Sequence, residues 1–345
     1  MSKVTIRDIA KALSVSVSTV SKALSDSYEI SATTKKKIIE YAEKHNYHPN
    51  RLAKNLKFGK TNTIGVIVCD ISNTFISQVL DGIQSNFMDK GFDTLIMQSH
   101  HDEATERQCI ESLINKGVDG ILMSPLTETS NFDLLKKLQP NYPIVLFDRI
   151  QSSLNTHKVG ANNVGGSFKA TQHLLRIGKK NILIILADKL GVSDLRLEGY
   201  KNALKQYNIP YLEENVLFVD LKNINQHDEK IKEFISEKLK SENPPDAVIC
   251  GSETISTRSL GIFMEAGIKV PKDIAVLGFA NTTFAFSLNP PLSTIVQPAY
   301  EIGKIATEKM IELLNKPTKD YKTIELETQL VIRKSCGYFP ENFNS

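Results

Sequence analysis

Val17, Ser18, Ser21 and Lys22 fall on one side of a helical repeat whose other side carries Val20 and Leu24. A branched methyl group, hydroxyls and an ammonium at that spacing suit the base edges of a DNA major groove. Val17 can meet a thymine methyl, Ser18 can bond a base or a phosphate, and Lys22 can donate to guanine O6 or N7. The solvated face of any small helical bundle would present similar residues. Charge argues for the groove: residues 1–60 hold 12 Lys or Arg against 5 Asp or Glu, and the rest of the 345 residues hold 30 against 34. A basic arm suited to a polyanion is thus attached to a body that repels one.

A second group of polar residues follows apolar, strand-like runs. Asp70, Asn73, Thr74 and Phe75 come after the first run, Asp148 and Arg149 after Phe147, and Asn162 and Asn163 after Gly160, while Arg196 opens a helical stretch and Glu253 and Asn281 follow two later runs. Ligands of open α/β sheets sit beyond the carboxyl ends of strands. Carboxylates, amides and guanidiniums beside an aromatic ring are what a polyol requires, because each hydroxyl seeks a donor and an acceptor while the ring face seeks an apolar plane. The same residues can serve as helix caps, and for Asp70 and Asn73 the two roles are evenly matched. Arg149 and Arg196 could also pair with an anion, so sugar phosphates, uronic acids and other polar metabolites stand beside a plain sugar.

Catalytic chemistry finds little support. Gly160 to Ser167 has the outline of a phosphate loop, but Gly166 stands where the essential lysine belongs. His100, His101 and Asp102 are adjacent and lack a further ligand at metal spacing, and no HExxH or GxSxG motif occurs. No cofactor, metal or enzymatic activity is expected. The four cysteines are scattered, with no CxxC pair, which fits a reducing cytoplasm. Neither a basic-then-apolar leader nor a run of about 18 apolar residues is present. No membrane partner is expected, nor is the signal peptide that an exported solute-binding protein would need.

The positioning elements follow from pattern. Ile6, Ile9, Ala10 and Leu13 repeat at helical spacing behind a Thr5-x-x-Asp8 capping box, and Ser16 caps the second helix. A third helix starts near Ser31, buries Ile38, Ala42 and His45, and ends before Pro49. Residues 50–60 are basic, with Leu52, Ala53 and Leu56 at helical spacing, but are too short to form a stable helix alone. Beyond residue 61, apolar runs alternate with amphipathic helices: 64–69, 94–97, 120–123, 144–147, 181–186, 247–250 and 274–278. That alternation predicts doubly wound parallel sheets, and the remaining length predicts two lobes with a cleft between them.

Residues 4–31, VTIRDIAKALSVSVSTVSKALSDSYEIS, and 46–56, NYHPNRLAKNL, resemble the headpiece and hinge of the lactose-repressor (LacI/GalR) family. The likeness continues in the family's order through IGVIVCDISNTF (64–75), VDGIL (118–122), RLEGY (196–200), AGIKVPKDIAVLGF (266–279), LSTIVQP (292–298) and LVIRKS (330–335). It implies an α/β fold: a three-helix helix-turn-helix headpiece at 1–49, a hinge helix at 50–60, and a two-lobed, periplasmic-binding-protein-like effector and dimerisation domain at 61–345. Lobe one would span about 61–162 and 293–325, and lobe two about 163–292 and 326–345. The function implied is a transcription regulator, a repressor, that binds a palindromic double-stranded DNA operator as a homodimer under control of a small sugar-like effector.

The expected DNA contacts are Thr5, Ser16, Val17, Ser18, Thr19, Ser21 and Lys22, with Asn50, Arg51, Ala53, Asn55 and Leu56 in the hinge. Leu56 would wedge into the minor groove, unstacking a base step at a cost of a few kcal/mol that wider contacts offset. The expected effector contacts are Asp70, Asn73, Phe75, Asp148, Arg149, Asn162, Arg196, Glu253 and Asn281. Four departures from the family pattern stand out. Leu13-Ser14 replaces the usual Ala-Gly in the turn, and Asn162, Glu253 and Ala280 stand where the family favours aspartate.

Overall fold

The computed structural model describes residues 4–47, 61–221 and 223–338. The chain divides into two compact units, residues 1–61 and 62–345.

In the first unit, α1 (Ile6–Ala12), α2 (Val17–Leu24) and α3 (Ala32–Lys44) pack around Ile9, Ala10, Val20, Ala23, Ile38 and Ala42. Each begins at a hydroxyl cap. Thr5 forms the reciprocal box with Asp8, Ser16 accepts from the Thr19 amide, and Ser31 accepts from the Thr34 amide. Each cap satisfies amides that a helix start leaves unpaired. The turn between α1 and α2 places Ser14 at φ +53°, the left-handed backbone that glycine adopts most cheaply. A serine thus holds a backbone conformation here that a glycine would adopt at lower cost. His45, expected to be buried, is instead the exposed C-cap of α3, where the helix has already ended, and its ring stacks on Tyr41 at 4.1 Å.

The second unit contains two six-stranded sheets. The first runs β11 (Thr323–Leu326), β5 (His157–Ala161), β4 (Ile144–Phe147), β3 (Gly120–Met123), β1 (Thr63–Val68), β2 (Asp93–Gln98), all parallel. The second runs β12 (Gln329–Val331), β10 (Ser293–Val296), β9 (Ala275–Phe279), β8 (Ala247–Cys250), β6 (Ile182–Ala187), β7 (Val216–Val219), parallel except for β12. The central strands β3, β4, β6, β8 and β9 are buried at every position, as sheets covered on both faces require. The lobe boundary expected at 292/293 moves: β10 pairs with β9 in the second sheet, so the chain crosses back to lobe one only after Val296.

Helices α4 (Thr74–Asp89), α5 (Glu103–Asn115), α6 (Phe132–Leu138) and α11 (Ala299–Asn315) accompany the first sheet, and α7 (Asn163–Arg176), α8 (Gly191–Gln206), α9 (Ile224–Lys238) and α10 (Glu253–Glu265) the second. Two helix pairs meet backbone to backbone. A Cβ on Gly82 in α4 would collide with the Tyr300 carbonyl of α11, and one on Gly199 in α8 with the Val164 carbonyl of α7. These contacts hold α4, which Asn73 caps, close against α11, and α8, which carries Arg196, close against α7.

Candidate functional site

The α2 residues expected to read DNA lie on one solvent-exposed side of the helix. Val17 is 42% exposed, Ser18, Ser21 and Lys22 are exposed, and the same helix buries Val20 and Ala23. Ser16 Oγ lies 2.8 Å from both Ser18 Oγ and Thr19 Oγ1, so the cap hydroxyl, Ser18 and Thr19 form a small hydroxyl cluster at the start of α2. Lys22 is paired with Glu29. That exposed pair contributes little to stability and is readily exchanged for a stronger acceptor. Thr5 is exposed with its hydroxyl tied to Asp8 at 2.7 Å. The hinge candidates Asn50, Arg51, Ala53, Asn55 and Leu56 lie outside the described residues.

In the second unit a cavity of about 350 Å³ opens between the lobes and is lined by residues at the strand ends. Eight of the nine expected effector residues line it: Asp70, Asn73, Phe75, Asp148, Arg149, Arg196, Glu253 and Asn281. Asn162 does not. It is the N-cap of α7, accepting from the Gly165 amide at 2.7 Å and donating to Glu327 Oε1 at 2.7 Å. The adjacent Asn163 is the one that turns inward, accepting from Arg196 Nε at 2.9 Å.

The floor combines charge with apolar surface. Arg196 is buried, with its guanidinium 3.9 Å above the centre of the Phe279 ring, a face that attracts a cation. It donates to Asn163, to the Gly251 carbonyl and to Gln297 Oε1. Burial disfavours its charge and pulls its pKa down to about 10. Asp148, at φ +62°, is turned so that Ser124 Oγ donates to it at 2.9 Å. Arg149 lies 3.8 Å from the Asp148 carboxylate and donates to Cys69 Sγ, at 2.9 Å, and to the carbonyls of Pro125 and Leu126. Burial raises the Cys69 pKa although Arg149 opposes the shift, so the thiol stays protonated and behaves as a small wall group.

Four of the expected residues also do structural work. Asp70 accepts from the amide and hydroxyl of Ser72, and Asn73 caps α4 through the Phe75 amide. Glu253 and Asn281 tie the lobes together. Glu253 accepts from Thr74 Oγ1 at 2.6 Å and from the Asn281 amide at 3.0 Å, and Asn281 Nδ2 donates to Gln78 Oε1 and to the Gln297 carbonyl, both at 2.8 Å. Ala280 puts a methyl group in the wall where the family favours a carboxylate.

Sequence reasoning missed several wall residues. Cys69 and Gln297 follow β1 and β10, so the strand-end rule could have found them, and Ser193 lies one helical turn before Arg196. Arg258 gave no sequence signal; it is held by a two-pronged contact with Asp228 on α9. His100 and His101 form a left-handed turn into α5, which Asp102 caps. Among the described residues no group of His, Cys, Asp and Glu is placed to hold a metal ion, and no helix is long and apolar enough to cross a membrane.

A helix-turn-helix unit with an exposed reading face, on the same chain as a two-lobed α/β domain with a polar cleft, defines a ligand-responsive DNA-binding regulator. Residues 5–50 match the model for bacterial regulatory proteins of the lacI family, and residues 171–336 match that of a periplasmic binding protein-like domain. The Haemophilus influenzae ribose operon repressor is 31% identical over 340 residues, spanning 96% of this chain and 98% of that protein. Catabolite control protein A of Priestia megaterium is 30% identical over 336 residues, spanning 96% and 99%. The crystal structure of the Lac repressor dimer bound to operator and the anti-inducer ONPF superposes with a TM-score of 0.85 at 22% identity, spanning 97% of this chain and 99% of that one, and shows the fold. The chain belongs to the lacI family of bacterial regulatory proteins and is a DNA-binding transcription regulator.

Proposed function

We propose that this protein is a cytoplasmic repressor that binds a palindromic operator as a homodimer and releases or grips it according to a small, polar, sugar-like effector held between the lobes. The observation that carries this is the occurrence on one chain of the solvent-facing α2 surface and the 350 Å³ inter-lobe cavity with Arg196 and Phe279 on its floor. A cavity of that size suits a ligand of sugar dimensions.

In this reading Val17, Ser18 and Lys22 meet base edges, Thr5, Ser16, Thr19 and Ser21 meet phosphates and groove walls, Asn50, Arg51 and Asn55 meet phosphates and groove edges, and Leu56, with Ala53 ahead of it, wedges into the minor groove. Asp70, Asn73, Phe75, Asp148, Arg149, Arg196, Glu253 and Asn281 surround the effector. Glu253 and Asn281 make the coupling, since a ligand bonded to them competes with the bonds that join the lobes, and a change in lobe closure is what the DNA-binding arms would sense. A two-fold dimer fits half-sites about one helical turn apart. Leu95 and Ile96 on the edge strand β2, and Phe284 and Phe286 after β9, are exposed apolar groups that a second copy would cover.

The test is thermal unfolding of the full-length protein against a panel of sugars and sugar derivatives, followed by operator titration with any compound that raises the melting temperature. A stabilising compound that also changes operator affinity supports the proposal. Stabilisation with no change in operator affinity refutes the coupling.

A further inference from the structure

Resting on the effector reading above, the geometry points to a ligand that carries an oxyanion, a phosphate or carboxylate on a sugar-like body, received by Ser193, Arg196 and the first turn of α8. Three guanidiniums line the cavity, and they differ in one respect. Arg149 has the Asp148 carboxylate beside it and Arg258 has Asp228. Among the described residues, Arg196 has no carboxylate at ion-pair distance: its hydrogen-bond partners are an amide oxygen of Asn163, the Gly251 carbonyl and an amide oxygen of Gln297, and the Asp148 carboxylate, which Arg149 shares, favours its charge only from further away. A buried cation surrounded by neutral acceptors is expensive unless something else supplies its counter-charge.

Ser193 provides the second, independent observation. Its side chain is in the cavity wall and 2% exposed, and its hydroxyl has no hydrogen-bond partner. Buried hydroxyls are nearly always bonded, so an orphan in a binding cleft marks where a ligand atom belongs. Ser193 stands three residues before Arg196 on the same helix, which places both on one face. The helix supplies further donors. Its N-cap is Leu190, which has no capping side chain, whereas Asn73, Asn162 and Ser252 cap the neighbouring helices α4, α7 and α10. The amides of Gly191 and Val192 are the first two of α8, and no carbonyl within the helix can reach them. A helix start with free amides, a hydroxyl and a guanidinium is a receptor for an oxyanion. Asp194, in the same turn, is exposed. Ala280 adds a methyl group to a wall that holds the carboxylates of Asp70, Asp148 and Glu253, of which Asp70 is bonded to Ser72, Asp148 to Ser124 and Glu253 to Thr74 and the Asn281 amide.

The experiment compares matched ligands on the full-length protein by thermal unfolding at constant ionic strength: a pentose and its phosphate, a hexose, its phosphate and its uronic acid, and inorganic phosphate alone. The expected result is that one charged compound binds at least about tenfold more tightly than its neutral parent. Ser193→Ala, which removes only the orphan hydroxyl, should weaken that binding about five- to tenfold and leave the neutral parent unaffected. Arg196→Lys should weaken it further, and Ser193→Ala keeps the test decisive if Arg196→Lys does not fold. Equal or tighter binding of the neutral sugars overturns the oxyanion inference and leaves the effector reading standing. Failure of every compound, phosphate included, overturns both. Tight binding of a charged compound that Ser193→Ala leaves unchanged overturns the assignment to α8.

Discussion

The DNA-reading unit and the effector unit solve opposite problems. The headpiece holds three short helices around six buried side chains, and its functional groups point to solvent. The effector unit has four buried clusters, and its functional groups face inward, with Arg196 and Asn281 each less than a tenth exposed. A groove reader needs its donors free to meet an external partner, so little of its stability can come from them. A cleft must hold polar groups away from water, so they bond to one another: Glu253 to Thr74, Asn281 to Gln78, Arg196 to Asn163. Removing a functional side chain should therefore be nearly harmless to the fold in the first unit and costly in the second.

The sharpest way to break that contrast is to attack the small core. Ile9→Ala removes a fully buried side chain from a cluster of six, at a cost of about 2–5 kcal/mol, more than so small a unit can spare. Operator binding should vanish while the melting transition of the effector unit stays in place, as circular dichroism and DNA titration would show. Gly82→Ala is the mirror case. Its Cβ would press on the Tyr300 carbonyl, and forcing α4 and α11 apart should cost about 1–3 kcal/mol, visible as a lower effector-unit melting temperature with the headpiece transition unchanged.

Smaller effects sharpen the comparison on the DNA side. Lys22→Ala should lose about 1–2 kcal/mol of operator affinity and relax preference at one base pair. Thermal stability should hold, because the ion pair lost, with Glu29, is exposed. Smallest of all, Ser14→Gly should raise headpiece stability by up to about 1 kcal/mol, because Ser14 sits at φ +53°. A fall in stability would mean that the serine side chain has a role in the turn.

The same contrast explains what the sequence could reveal. Most of the expected headpiece contacts lie within residues 16–22, so helical periodicity and the caps at Thr5, Ser16 and Ser31 put them on one exposed face without any long-range knowledge. In the effector unit, the strand-end rule places Asp70, Asp148 and Glu253 at the cleft but says nothing of what they touch. The bond from Thr74 to Glu253 joins residues 179 apart, and no local pattern encodes it. Asn162 and Asn163 illustrate the limit. Both follow β5, and only the capping requirement of α7 decides that Asn162 serves the helix while Asn163 meets Arg196. Short strands such as β7 and β12 were illegible because four- and three-residue runs with exposed positions lack a clear period, and β10 could be assigned to its sheet only through pairing with β9.

The central claim is that the cleft controls the headpiece. The most direct measurement is the affinity of the full-length protein for a palindromic duplex selected from random sequence, with and without a saturating amount of the compound that stabilises it most. The account predicts a change of at least about fivefold, in either direction, and its loss in a cleft variant that no longer binds the compound. Equal affinity with the cleft empty and filled would contradict it.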